Sequence, residues 1–334
     1  MLPLTPTKLG RYEIVDEIGK GAMGVVFLAR DPLIGRLVAL KTFRIGYSIK
    51  DQEMEQFRIR FMREAQSAGI LTHPHIVTIH DVVEQSEEGL AFIAMEYVRG
   101  TNLKLLLQGD RPMTLAVALD IVSQVGDALD YAHANRVIHR DVKPANILID
   151  EDDRAYLADF GIAKALEGND NLTQAGVGIG TPEYMAPEQA QGRADPRSDL
   201  YALGVMVYQM LTGQVPFSGN TTVEVLMKHL QEPVPLSPLR GAVAQQFGPI
   251  LQRALAKDPN LRYQSGREMM ADVNQAMTRS GFASIVVTNP TVISAVPPPS
   301  SNPSVTAPAA QTPPPATYTP PPGGYTPPPG GYTP

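Results

Sequence analysis

Ile138-His139-Arg140-Asp141-Val142-Lys143-Pro144-Ala145-Asn146-Ile147-Leu148-Ile149, followed by the polar turn Asp150-Glu151-Asp152-Asp153 and then by Asp159-Phe160-Gly161, decides how this chain is read. The apolar runs Ile147 to Ile149 and Ala155 to Ala158 suit two short buried strands. The acidic turn between them predicts a hairpin, which brings Asn146 and Asp159 to the same end of the strand pair. Asp141 arrives on the loop before it. Asp159 alone would be read as a turn or cap residue. Two carboxylates and a carboxamide converging together instead suit Mg²⁺, which takes few protein ligands and completes its shell with water and phosphate oxygens. The chemistry indicated is phosphoryl transfer.

His-Arg-Asp, with Asn at the fifth position after the Asp and Asp-Phe-Gly downstream, resembles the signature of the protein kinases. The resemblance implies that Asp141 orients the substrate hydroxyl and that Asn146 and Asp159 hold metal. It covers residues 12–277 with every part in the family's order. The runs His-Arg-Asp-Val-Lys-Pro-Ala-Asn and Gly-Thr-Pro-Glu-Tyr-Met-Ala-Pro-Glu-Gln are most like the bacterial Ser/Thr kinases of eukaryotic type. The implied fold is α+β and bilobal. A small antiparallel-sheet lobe with one main helix (about 12–95) stands over a larger, mainly helical lobe (about 100–277), with ATP in the cleft and a disordered tail after it.

The upper lobe opens with alternating Tyr12 to Ile18, then Gly19-Lys20-Gly21-Ala22-Met23-Gly24, then the apolar Val25 to Leu28. Strand, glycine turn and strand predict a hairpin. Glycines let backbone amides approach phosphate with no Cβ between them. The same glycine spacing occurs in dinucleotide-binding oxidoreductases, but there a helix follows and here a strand does. By resemblance this is the lid over ATP, drawing on Ile18, Gly19, Lys20, Gly21, Ala22, Met23 and Gly24, with Val26 beneath the adenine. Ala22 and Met23 stand at the tip where many relatives carry an aromatic residue. Lys41 ends the apolar run Val38-Ala39-Leu40. In the segment 51–71, Met54, Phe57, Phe61, Ala65 and Ala68 recur at helical spacing, with Glu64 on the inward edge. A carboxylate turned to the core needs a partner. Lys41 is one candidate, and Arg60, one turn earlier, is the alternative. The resemblance favours Lys41–Glu64, holding the α and β phosphates. It further implies that Ala39 and Leu148 flank the base, that Met95 guards the back of the pocket, and that the backbone at Glu96 and Val98 bonds adenine. His73 and His75 lie around a Pro beside a strand, with no third metal ligand evident, and read as structural.

In the lower lobe, Leu115, Leu119, Val122, Val125, Leu129 and Ala132 mark a buried helix face capped by Thr114. Residues 167–180 are polar and glycine-rich, and such a segment cannot order itself by burying apolar surface. Thr173 is the one Thr between Lys164 and Gly180. A phosphate there would add about −1.5 to −2 charge, with Arg140, Lys164 and Arg60 as candidate partners. Lys143, paired to a Thr such as Thr181, implies by resemblance a Ser/Thr rather than a Tyr enzyme. Ser198 or Asp199 reads locally as a helix cap, while the resemblance has Asp199 anchoring the catalytic loop from below. It also pairs Glu188 with Arg262.

The chain has 334 residues, 43% of them hydrophobic, no Cys and a net charge of −6. Disulfides, Cys-bound zinc and redox chemistry are thereby excluded, and nothing favours a nucleic-acid partner. No stretch reaches the ~20 apolar residues of a membrane helix and no signal peptide is evident, so a cytoplasmic enzyme is expected. After Arg279 no charged residue occurs, and Tyr-Thr-Pro-Pro-Pro-Gly-Gly repeats from Tyr318. Residues 278–334 therefore read as a Pro-rich, disordered spacer, or as a ligand for a polyproline-binding partner. Protein substrates, ATP and Mg²⁺, with Mn²⁺ as a substitute, complete the implied set. Relatives pair through the back of the upper lobe, where Arg11 and Asp81 fall. The competing readings are a pseudokinase or scaffold acting through its surface and tail, and a small-molecule kinase. Against the first stands the full set of catalytic residues. Against the second stands the segment ending at Glu188, which suits an extended peptide.

Overall fold

Along Val38 to Phe43 every second side chain faces the same way, as a pleated strand requires. Val38 and Leu40 join Tyr12, Phe27, Ala29, Phe92 and Ala94 in one buried cluster, whereas Phe43 packs with Ala65, Ala91 and Ile93 in another. Lys41 and Ala39 belong to the second face. A strand buried on both sides thus sends Lys41 toward the cleft. The computed structural model describes residues 7–21, 24–44, 62–63, 65–85, 90–109, 113–160, 181–280, 285–287 and 293–295, all within a unit spanning Met1–Val296. Residues 297–334 are a second unit and lie outside the described residues.

The upper lobe is a six-stranded antiparallel sheet in the order β1-β2-β3-β4-β6-β5. Its strands are β1 (Lys8–Leu9), β2 (Tyr12–Gly21), β3 (Gly24–Arg30), β4 (Leu37–Arg44), β5 (Ile79–Gln85) and β6 (Leu90–Glu96). Helical residues 65–69 cover its inner face, where Ala65 and Ala68 are buried. The β2–β3 hairpin closes at Gly21 opposite Gly24. Gly24 is required by crowding, since a Cβ there would stand 1.7 Å from the carbonyl oxygen of Thr42. The Thr42 hydroxyl staples the hairpin to β4 by accepting from the Val25 N–H (3.1 Å) and donating to the Val25 carbonyl (2.8 Å).

Below the cleft come β7 (Gly100–Asn102), α1 (Leu103–Gln108), β8 (Met113–Thr114) and α2 (Leu115–Ala134), whose N-cap is Thr114 as expected. Helix α2 buries Leu115, Leu119, Val122, Val125, Leu129 and Ala132, the stripe of a helix facing a core. Then follow β9 (Ile147–Asp150), β10 (Ala155–Leu157), α3 (Pro196–Thr212), α4 (Thr222–Gln231), α5 (Gly241–Ala254) and α6 (Gly266–Ser280). Helix α3 is apolar around its circumference and buried accordingly. Asp130 of α2 accepts from the N–H groups of Gly266 and Arg267, which caps α6 and locks the two helices together.

One local expectation is corrected. The cap of α3 is Asp195, not Ser198 or Asp199; Ser198 sits at the third helical position and completes a capping box. Pro196 at the first turn fixes that start, which pushes Asp199 into the interior. Secondary structure also continues past residue 278. Helix α6 runs to Ser280, and β11 (Ile285–Val287) pairs with both β8 and β12 (Ile293–Ala295). Composition averaged over the tail hides this Ile- and Val-rich stretch, which suits strands.

Candidate active site

The predicted hairpin forms, with Ile147 opposite Leu157, Leu148 opposite Tyr156 and Ile149 opposite Ala155. The Ala158 N–H donates to the Asn146 carbonyl (2.9 Å), which seats the residue before Asp159 beside Asn146. Strand β10 is also tied upward: the Leu157 N–H donates to the His75 carbonyl, and the Val77 N–H to the Leu157 carbonyl. The Asp159 backbone is left-handed (φ 66°), a conformation uncommon outside glycine. Its carboxylate meets Lys41 Nζ at 2.7 Å. Burial raises the pKa of this carboxyl, but the Lys41 ammonium outweighs burial and holds it below the ordinary carboxylate range.

On the loop before β9, Lys143 Nζ lies 2.7 Å from Asp141 Oδ2. The Asn146 amide donates to both the Asp141 carbonyl (2.8 Å) and Asp141 Oδ2 (2.9 Å). With its N–H₂ so used, Asn146 has its carbonyl oxygen left for a cation. Asp141, Lys143 and Asn146 are therefore joined by one ion pair and this amide, and Asp159 and Lys41 by a second ion pair. Glu64 lies outside the described residues, as do Arg60, Ala22, Met23, Thr173 and Lys164.

The loop rests on a buried platform. Asp199 accepts from the N–H groups of His139 and Arg140 (2.8 Å each), and its Oδ2 lies 2.8 Å from His133 Nε2. Arg140 is also left-handed (φ 65°), and its carbonyl accepts from Gln189. Burial pushes the His139 imidazole pKa down. The neutral ring then donates through Nε2 to the Ala158 carbonyl (2.9 Å) and accepts the Asp141 N–H at Nδ1 (3.2 Å). Phe160 packs on it at 4.6 Å. One imidazole thus joins Asp141 to the strand end that carries Asp159. Glu188 pairs with Arg262 by two bonds, 2.7 and 2.8 Å, and also accepts from Ser198.

The ceiling of the cleft follows from strand register. Val26 lies opposite Lys41, Gly19 opposite Val26, and Ala39 opposite Met95. Ile18 and Lys20 flank Gly19 on β2, Glu96 ends β6 with Val98 two residues on, and Leu148 is on β9. Lys41, Ile79, Met95, Asp159 and Phe160 line one cavity. Thr181 shares a second cavity with Lys143, whose ion-pair partner is Asp141. Arg11 and Asp81 pair within this one chain at 3.0 Å. His73 faces Asp127 and stacks on Tyr131, and His75 lies 3.0 Å from the Ala155 carbonyl, in keeping with structural roles. Sequence reasoning missed Gln189, His133 and the platform role of His139.

The protein-family description "protein kinase domain" matches residues 12–275. Serine/threonine-protein kinase PknB of Mycobacterium leprae is 42% identical over 274 residues, covering 80% of this chain and 43% of that protein. PrkC of Bacillus subtilis is 42% identical over 269 residues, covering 80% and 40%. This chain therefore spans about two-fifths of the length of these relatives. The crystal structure of the Mycobacterium tuberculosis PknI kinase domain superposes with a TM-score of 0.64 at 33% identity, covering 80% of this chain and 97% of that one. With the family match over residues 12–275 and these likenesses, the chain belongs to the protein kinase family.

Proposed function

We propose that this chain transfers the γ-phosphoryl group of ATP to Ser and Thr hydroxyls of proteins, through a kinase domain of residues 12–277. The observation that carries this is the convergence of Asp141, Lys143, Asn146 and Asp159 below Lys41. The Asp141 carboxylate accepts the substrate hydroxyl and aims its oxygen at phosphorus. Lys143, already against Asp141, offsets charge gathering on the transferred group. Asn146, through its free carbonyl oxygen, and the ionised Asp159 would hold Mg²⁺ or Mn²⁺. Bound there, the metal neutralises phosphate oxygens. Lys41 exchanges Asp159 for the nucleotide phosphates when ATP enters, with Glu64 as its expected second partner. Gly19, Gly21 and Gly24 cover the phosphates, and Val26, Ala39, Met95 and Leu148 enclose the base. Since ATP is an intracellular nucleotide, the domain works on the cytoplasmic side.

Regulation is proposed at Thr173, whose phosphate would be held by Arg140 and Lys164. A dimer through the upper-lobe back would exchange the internal Arg11–Asp81 pair for an intermolecular one, and the Pro-rich repeats would dock in an aromatic groove of a partner. Mass spectrometry of protein incubated with Mg²⁺ and ATP tests the core of this. Phosphate on Ser or Thr, Thr173 among them, is expected in the parent and not in Asp141→Asn. Phosphate on Tyr alone, or equal phosphate in both, would overturn it. A scaffold without transfer has no observation in its favour.

A further inference from the structure

A second cavity, of about 210 Å³, lies beside the catalytic loop and away from the sheet. Lys104 and Leu107 of α1, Lys143 and Ala145 of the loop, Tyr184, and Gln209 near the end of α3 shape it. No carboxylate is among its lining residues. Its two cations differ in availability. Lys143 is engaged with Asp141, whereas Lys104 is exposed and has no ion-pair partner among the described residues. The Tyr184 hydroxyl donates to Gln209 Oε1 (2.7 Å), which fixes that wall and leaves the Gln209 N–H₂ to donate. The apolar Leu107, Pro144 and Ala145 beside a free ammonium and an amide donor fit the stem and the carboxylate of an acidic side chain.

We propose that this cavity is a specificity subsite for an acidic residue of the protein substrate, a few positions from the hydroxyl presented to Asp141. The inference rests on the kinase reading above. The chain itself supplies a matching substrate: Glu167-Gly168-Asn169-Asp170-Asn171-Leu172-Thr173 places a carboxylate three residues before the proposed acceptor. Three extended residues reach about 10 Å, and the cavity and Asp141 are bridged by Lys143, which lines the one and pairs with the other. A second copy of this chain would thus offer Asp170 to Lys104 while Thr173 meets Asp141.

The test compares three peptides of residues 167–178, with Asp170 kept or replaced by Asn or Lys, as substrates of the full chain and of Lys104→Glu. We expect kcat/KM to fall by about 3- to 10-fold from Asp to Asn, an exposed to half-buried charge contact, and further with Lys. In Lys104→Glu the Lys peptide becomes the best of the three. Equal kcat/KM for the three peptides, from an enzyme that phosphorylates casein, would overturn the subsite and leave the kinase reading intact. An unchanged order in Lys104→Glu would also overturn it. No transfer to casein or to any peptide overturns both. Should Lys104→Glu fail to fold, the parent series decides alone.

Discussion

At the residue scale, the buried charges of Arg262 and Glu188 answer each other in full. Arg262 is buried completely, with its guanidinium 4.7 Å over the Tyr201 ring, and spends its N–H groups on Glu188 and on three backbone carbonyls. Burial raises the Glu188 carboxyl pKa, but the bonds from Arg262 and Ser198 bring it below the ordinary value. Truncating one member leaves the other charged and unpaired, so Arg262→Ala should cost about 3–5 kcal/mol of unfolding free energy, read from urea denaturation. A loss under about 1 kcal/mol would contradict the pairing as the anchor of this lobe. His229 makes a different prediction. It is fully buried, 2.8 Å from the Tyr201 hydroxyl, and burial together with the Lys257 ammonium depresses its pKa from 6.5 to about 4. Below pH 6.5 the unfolded chain takes up a proton that the folded chain refuses. This contribution to stability is complete above pH 6.5 and is lost on acidification toward pH 4, on the order of 3 kcal/mol. Urea midpoints at pH 7 and pH 5 should therefore differ less in His229→Gln than in the parent.

At the element scale, the β2–β3 hairpin depends on backbone closeness rather than on side chains. Gly24→Ala would force the β2–β3 hairpin off β4, because of the Thr42 carbonyl. It should lower kcat/KM for ATP by about tenfold, ~1.4 kcal/mol, with less change in KM for the protein substrate; equal effects on both would point to general unfolding instead. The elements differ in how legible they were in the sequence. The β9–β10 hairpin, the Thr114 cap and the α2 stripe were readable because each is set by local pattern, and the apolar period of α2 survives intact in the fold. Asp195 as the cap of α3 was not, since three Asp or Ser residues stand within five positions and only packing selects among them. Nor was the Lys41–Asp159 contact, which joins two lobes far apart in sequence. Lys104 and Gln209 escaped notice because a cavity wall drawn from four segments leaves no trace in any one of them.

At the scale of the whole molecule, the kinase domain extends its secondary structure past the residues that the family description matches. Strand β11 adds to β8, directly before the α2 N-terminus, and so ties residues 285–295 to the segment that follows α1. A chain ending at residue 280 should melt about 2–4 °C below one ending at 296, the shift expected for ~1 kcal/mol in a domain of this size. Identical melting would show that the strands add nothing. The central claim is that the five side chains around Asp141 and Asp159 perform phosphoryl transfer. The measurement that tests it most directly follows γ-labelled ATP into casein, with nucleotide binding measured in parallel, for the parent, Asp141→Asn and Lys143→Ala. The account predicts ATP binding in all three, label on Ser and Thr with the parent, and a loss of about 100-fold or more in kcat for each variant. ATP binding in the parent without transfer to any protein, or full transfer by Asp141→Asn, would contradict it.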